Sequence, residues 1–218
     1  MQFFERESAI AEIVRGKRVL HLGCIGFADS DPLARVDLFQ KSLHFRLSQI
    51  ADVVGVDYAE SVITQLQSGG HGMNIVVGDV EMLDEVPING QFDIVLAGDI
   101  IEHIANPGKM LAGIQRFCGP ETELVLTTPN AFGLLGQVRF TIGRFKEARE
   151  HVLSFNRYNL EQMLSRFNFK IVAIDTCYQH WVNDEHSSVV LFLAKRLFKT
   201  IPKWGGTLFV RAKLESAS

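Results

Sequence analysis

Four points along the chain carry residues whose types could handle a nucleoside, and each directly follows a run of Val, Ile and Leu. They are Gly23 with Gly26, Asp57, Gly78 with Asp79, and Gly98 with Asp99. A glycine turn lets a ligand approach the backbone closely, because no Cβ stands in the way. A carboxylate at a strand end can accept hydrogen bonds from both vicinal hydroxyls of a ribose, and a second acid after the next strand can receive the exocyclic amine of an adenine. Each residue alone has a plainer reading. Gly23 would serve as an ordinary turn, Asp79 as a helix cap and Glu81 as a capping or solvated residue.

Spacing separates two kinds of adenosine ligand. The dinucleotide fingerprint asks for G-x-G-x-x-G and an acid about 20 residues further on. Here the interval from Gly23 to Asp57 is 34 residues and the third glycine is absent. A nicotinamide enzyme also has no standing need for Asp79.

These residues must be positioned by the runs that precede them. Short β-type runs at 18–22, 52–56, 74–77, 92–97, 123–127, 170–174 and 207–212 alternate with stretches of helical periodicity such as 36–50 and 160–167. That alternation predicts a parallel sheet covered by helices on both faces. A helix is expected from about Ile100 through 106–117, interrupted by Pro107. Pro129 is expected to end the fifth strand at a sheet edge or a loop, because proline cannot donate to a central ladder. The last two strands are expected to pair at the end of the sheet.

Composition bounds the classes. With 47% hydrophobic and 22% charged residues the chain is an ordinary globular one, and the lack of a Pro/Gly/Ser-rich linker predicts one domain over 1–218. A net charge of −3 with scattered basic residues argues against nucleic acid as partner. Cys24, Cys118 and Cys177 have no metal-ligand or disulfide spacing, so reduced thiols are expected. The acids near the N-terminus disqualify it as a signal peptide, so a cytoplasmic location is expected. The apolar run at 189–193 is far shorter than the roughly 20 residues of a transmembrane helix. With the following AKRLFK it makes peripheral membrane contact a minor alternative to packing on the sheet.

Taken together, VLHLGCIGF, VVGVDYAE, VVGDVEMLD, FDIVLAGDIIEH and LTTPNAFG resemble, in order and spacing, the motif series of class I S-adenosylmethionine-dependent methyltransferases. FDIVLAGDIIEHIANPGKML and EHVLSFNRYNLEQMLSRFNFKIV resemble the bacterial small-molecule branch that includes ubiquinone-type O-methyltransferases. The resemblance implies a Rossmann-like α/β three-layer sandwich with a mostly parallel seven-stranded sheet, the last strand antiparallel. It also implies S-adenosyl-L-methionine as cofactor. Gly23, Cys24 and Ile25 would face its methionine part, and Asp57 would hold the ribose with Tyr58 beside the adenine. Gly78, Asp79 and Val80 would bind the adenine edge, and Gly98 and Asp99 would lie near the sulfonium. Two departures stand out. His21 replaces an acid two residues before the first glycine, and Ile25 and Phe27 replace further glycines. The loop at 27–36 is long and polar enough for a lid or a dimer contact.

Methyl transfer needs a general base only if the acceptor loses a proton. Glu102 and His103, read as one turn beyond Asp99 on the same helix, are expected to face the pocket, with His103 the first choice of base. His151, in the segment resembling the substrate side of the family, is the second; His44, His180 and His186 rank lower. Asp99, Glu102 and His103 with His151 could hold a divalent cation, but a metal-free helix start is the favoured reading. Residues 131–150 are expected to cover the substrate, with 176–206 peripheral, and Arg139, Arg144 and Arg149 either meet an acidic or phosphorylated acceptor or are plain surface charge. The leading expectation is methylation of an oxygen, less favourably a nitrogen, of a small molecule or glycan precursor. Its rivals are a nicotinamide-dependent oxidoreductase and a non-catalytic domain of the same fold.

Overall fold

A computed structural model describes residues 1–26, 39–69, 74–144, 148–178 and 196–215. The loop at 27–36, His180, His186 and the apolar run at 189–193 lie outside the described residues.

The strands β1 (Phe3–Glu5), β2 (Arg18–Leu22), β3 (Asp52–Asp57), β4 (Ile75–Val77), β5 (Phe92–Gly98), β6 (Cys118–Pro129), β7 (Phe169–Tyr178) and β8 (Thr207–Leu214) form one sheet in the order β1-β7-β8-β6-β5-β2-β3-β4. Among the described strands only β8 runs antiparallel, against both β6 and β7. The alternation of inward side chains explains why the sheet is covered twice. Leu20 and Leu22 pack on one face, with α4 (Pro107–Ile114) and α6 (Arg157–Arg166); Val19 packs on the other, with α1 (Arg6–Val14) and α2 (Leu43–Ser48). Near the β4 edge, α3 (Glu60–Ser68) buries Val62, Ile63 and Leu66 over Ile75. This is the expected three-layer arrangement.

Four details differ from the sequence reading. The last two strands, β7 and β8, pair as expected, but an eighth strand, β1, pairs in parallel with β7 and takes the sheet edge. β6 is a long central strand, and Pro129 fits because it lies two residues beyond the last β5 pair, Gly98 with Thr127, where only β8 stands opposite. No helix starts at Ile100. Asp99 takes φ +50, which breaks the chain direction, and Pro107 occupies the first turn of α4, where its missing N–H is harmless. Pro107 therefore starts the helix instead of interrupting it.

His21, one of the departures from the family pattern, faces α2. Its Nδ1 lies 3.2 Å from Nδ1 of His44, and both rings are buried. One nitrogen must donate and the other accept, so at least the accepting ring is neutral. Burial holds His44 at about 4, and burial, His44 and then Arg6 hold His21 well below its ordinary value. Because these folded-state values lie below that of an unfolded histidine, the unfolded chain binds the protons first as pH falls. Stability from the pair is complete above pH ~6.5 and declines below it, the His44 contribution being lost between there and about 4. His44 alone accounts for about 2 kcal/mol of that loss by pH 5. Urea midpoints for wild type and His44→Phe are expected to converge as pH falls from 8 to 5; a constant difference would contradict this.

Candidate active site at the strand ends

β2 continues to β3 and β4 on one side, and the chain then crosses over to β5 and β6 on the other, so the order reverses between β2 and β5. In such sheets the crevice beyond the carboxyl ends at the reversal is the ligand site. The glycines and acids singled out above all lie at this end.

Gly23 has φ +68 and lies directly under Ile100, whose Cδ1 would be 2.8 Å from an added Cβ, so both backbone and space exclude a side chain. Gly26, at φ +77, has nothing within 4 Å of the same position among the described residues, and its positive φ is one that side chains rarely adopt. The Asp57 carboxylate is buried and oriented by two backbone donors: Ile25 N–H gives 2.9 Å to Oδ2 and Ala59 N–H gives 3.0 Å to Oδ1. The glycine turn and the second strand end are thus one hydrogen-bonded unit. Gly78 N–H donates to the Asp57 carbonyl at 2.9 Å, which sets Asp79 beside it at the next strand end. Asp57 and Asp79 therefore share one rim.

Several side chains do something other than expected. Cys24 buries its thiol among Val62, Ile63 and Ile75, where burial pushes its pKa well up, so it offers the crevice only its main chain. Val80 is likewise a core residue. Asp79 caps the 3-10 turn that follows, accepting from Glu81 N–H at 2.8 Å. Glu81 in turn caps the loop at Ala105 N–H, 2.8 Å away. Tyr58 is 63% exposed beside Asp57.

Arg6, at the start of α1, escaped the sequence reading. Its side chain is buried and reaches the ends of β5 and β6, where Nε donates to Thr127 Oγ1 at 3.0 Å and Nη2 stands 3.3 Å from Asp99 Oδ2. Thr127 Oγ1 donates to Asp99 Oδ1 at 2.9 Å. A Cβ at Gly98 would lie 2.6 Å from Arg6 Nη2, so a side chain there would displace the guanidinium from this place. Only the sequence FFERES hinted at this residue, and an isolated arginine ahead of a helix carries no signal by itself.

Glu102 and His103 stand in the turn after Asp99, and the chain returning at 150–153 brings His151 to them. Val152 and Leu153 N–H groups both donate to the Glu102 carbonyl, at 2.9 and 3.1 Å. The His103 and His151 rings meet edge to face, centroids 4.8 Å apart, and one ligand-type atom from each of Glu102, His103 and His151 lies within 4.8 Å of the others. His103 Nδ1 is 3.2 Å from the Glu150 carbonyl. That carbonyl accepts only, so Nδ1 carries the proton and Nε2 the lone pair. Burial, then His151, lowers the His103 pKa, which keeps the ring neutral and basic at pH 7.

Glu102 is buried, with Oε2 accepting from Thr128 Oγ1 at 2.9 Å and Oε1 without a hydrogen-bond partner among the described residues. Burial, then the nearby Asp99, pushes its pKa to about 7. The unfolded chain loses this proton first as pH rises, so ionisation costs stability between roughly pH 4.5 and 7. Glu102→Gln keeps the acceptor for Thr128 and cannot ionise. It is expected to stabilise the protein by about 1–3 kcal/mol at pH 8 and by nothing at pH 4, as read from urea midpoints at the two pH values.

A mostly parallel sheet with a glycine turn and two carboxylates at its switch point defines a Rossmann-like α/β domain. Residues 3–174 match the family model described as a methyltransferase domain, and the chain belongs to that family, within the class I S-adenosylmethionine-dependent methyltransferases. Among curated proteins it is similar to ubiquinone biosynthesis O-methyltransferases. That of Azorhizobium caulinodans is 29% identical over 134 residues, 60% of this chain and 47% of the relative; that of Roseobacter denitrificans is 30% identical over 129 residues, 58% and 47%. The chain thus spans about half the length of the curated relatives it matches. Solved structures share the fold at low identity. A SAM-dependent methyltransferase from Thermotoga maritima superposes with a TM-score of 0.61 at 14% identity, covering 96% of this chain and 87% of that one. The magnesium protoporphyrin IX methyltransferase of Synechocystis, solved with bound SAH, gives 0.56 at 15%, covering 96% and 82%.

Proposed function

We propose that the protein transfers a methyl group from S-adenosylmethionine to an oxygen of a small molecule. The observation that carries this reading is the joining of Gly23, Asp57 and Asp79 into one rim that adjoins the Glu102–His103–His151 cluster through Gly98 and Asp99. In this reading Asp57 holds the ribose hydroxyls, with Tyr58 alongside the adenine. Asp79 and the main chain at Gly78 and Val80 take the adenine edge. The main chain from Gly23 to Ile25 borders the methionine part, and Arg6 offers its carboxylate a buried cation. When bound, the cofactor supplies an electrophilic methyl group and leaves as a neutral thioether. Nε2 of His103 would take the proton that an acceptor hydroxyl loses as it is methylated. Asp99, held by Arg6 and Thr127, presents negative charge to the cationic sulfur.

An oxygen acceptor is favoured because a hydroxyl must lose a proton during transfer and a neutral histidine stands ready to take it. The relatives at 29–30% identity, whose names are those of O-methyltransferases, point the same way. The same cluster also favours a second reading, in which Glu102, His103 and His151 hold a divalent cation that acidifies the acceptor hydroxyl. Chelation separates the two, since loss of activity with EDTA and recovery with added metal would establish the cation.

A thermal-shift measurement tests the cofactor. S-adenosylhomocysteine at 100 times its dissociation constant is expected to stabilise by about 2.7 kcal/mol, and NAD by nothing. For a chain of this size that corresponds to roughly 5–11 °C in Tm. Stabilisation by NAD alone would overturn the reading.

A further inference from the structure

The stretch that carries His103 has no helix to support it, since Asp99 takes φ +50 and α4 begins only at Pro107. His103 N–H donates to the Ile100 carbonyl at 3.0 Å, which closes a single turn. Among the described residues three holds replace the missing ladder. Ile100, Ile101 and Ile104 are buried in the core. The chain that leaves β6 through α5 (Leu134–Thr141) returns at 150–153 and fixes the Glu102 carbonyl. The third hold is Glu81, whose Oε1 accepts from Ala105 N–H at 2.8 Å and whose Oε2 accepts from Asn106 Nδ2 at 2.5 Å, across 24 and 25 residues.

Tertiary structure, not local preference, specifies this third hold. Asn106 is the N-cap of α4, where an asparagine ordinarily turns its side-chain oxygen to the helix N–H groups. Among the described residues it makes no such bond, and its amide goes to Glu81 instead. Hydrogen bonds to an ionised acceptor are the stronger kind, and the Asn106 amide foremost holds the Glu81 carboxyl below its ordinary value. The fold has other fastenings at the same place. Val80 and Leu83 are buried, and Arg116 Nη1 and Nη2 donate to the Leu83 and Ile88 carbonyls at 2.6 and 2.8 Å. At its other end Glu81 is tied to the rim, because its N–H donates to Asp79 Oδ1 at 2.8 Å. One chain of hydrogen bonds therefore runs from Asp79 to the residues just beyond His103.

We propose that Glu81 is a positioning residue that couples the adenine end of the cofactor site to the loop carrying His103. The proposal rests on the reading in which Asp79 receives the adenine amine. Adenine bound there fixes the carboxylate that holds Glu81 N–H, and the Glu81 side chain then steadies Ala105 and Asn106. The base is thus set in place when the methyl donor is present. Coupling between two sites is carried by contiguous contacts of this kind, and a change at both ends is what establishes it.

The test is amide hydrogen exchange of the full chain, read by mass spectrometry, with and without saturating S-adenosylhomocysteine. In wild type the ligand is expected to slow exchange over 102–106 by about fivefold or more. In Glu81→Ala that slowing is expected to vanish, while S-adenosylhomocysteine still binds within about threefold of wild type, which shows that the variant is folded. Glu81→Gln is expected to restore it. Its amide oxygen can accept from Ala105 N–H, and its NH2 can donate to Asn106 once that side chain turns its oxygen over. A clasp that serves only the fold would loosen the loop in Glu81→Ala yet leave the ligand-dependent slowing intact, and that result would overturn the proposal. So would a Glu81→Gln variant that behaves as Glu81→Ala does. If S-adenosylhomocysteine binds wild type without slowing 102–106, the coupling alone is wrong. If it does not bind at all, the methyltransferase reading fails and the coupling with it.

Discussion

His103→Ala is expected to lower kcat by about 10²–10⁴-fold, the usual contribution of a positioned general base, with the dissociation constant for S-adenosylhomocysteine unchanged. The reason lies in how the ring is held. Nδ1 is committed to the Glu150 carbonyl at 3.2 Å, so the basic lone pair is at Nε2. Burial and His151 lower its pKa, so wild-type kcat is expected to be flat at neutral pH and to fall only as pH drops below about 6.5, where the base becomes protonated. His151→Phe preserves the edge-to-face packing and removes a group that repels a proton on His103. Its acid limb is therefore expected to move to higher pH. A variant at His103 that keeps full kcat, or a His151→Phe profile identical to wild type, would remove these rings from the chemistry.

How much of this was legible beforehand follows from where each kind of information is stored. The rim residues were readable because their types are dictated locally: a positive φ at Gly23, and carboxylates at the ends of runs that can only be buried strands. The parallel order and the antiparallel β8 were implied by the motif series. The stretch from Ile100 to Ile104 misled because apolar residues at 100, 101 and 104 mimic a helical stripe, although all three point into the core from a turn. The informative residues there were Asn106 and Pro107, a helix start read as an interruption. Arg6, Thr127 and Asp99 are joined only through the sheet, across 121 and 28 residues. No local pattern encodes such a contact, and the short β1 that carries Arg6 into place has too few residues to announce itself. His21 was noticed as a departure but not understood. Its partner His44 is 23 residues away on a helix, and the pair makes sense only once α2 lies across β2.

The ribose carboxylate carries the other large effect. Asp57→Ala is expected to weaken S-adenosylhomocysteine binding by about 10²–10⁴-fold, because two hydrogen bonds to a charged acceptor are worth about 1.5–3 kcal/mol each. The substitution also strips Ile25 N–H and Ala59 N–H of their shared acceptor, so part of the loss would come from a loosened glycine turn. Asp57→Asn separates the contributions. Its amide keeps one carbonyl oxygen for a backbone donor but presents an NH2 where the other oxygen stood, so it must lose either the Ile25 or the Ala59 bond and can accept from only one ribose hydroxyl. Calorimetry is expected to rank wild type above Asp57→Asn and Asp57→Ala last, while adenine alone, which has no ribose, binds all three equally. If adenine affinity falls in step with that of the nucleoside, Asp57 acts through the turn and not on the sugar. Should all three proteins bind S-adenosylhomocysteine alike, the adenosine does not lie along this rim, and the link from Asp57 through Ile25 to the glycine turn serves the fold alone.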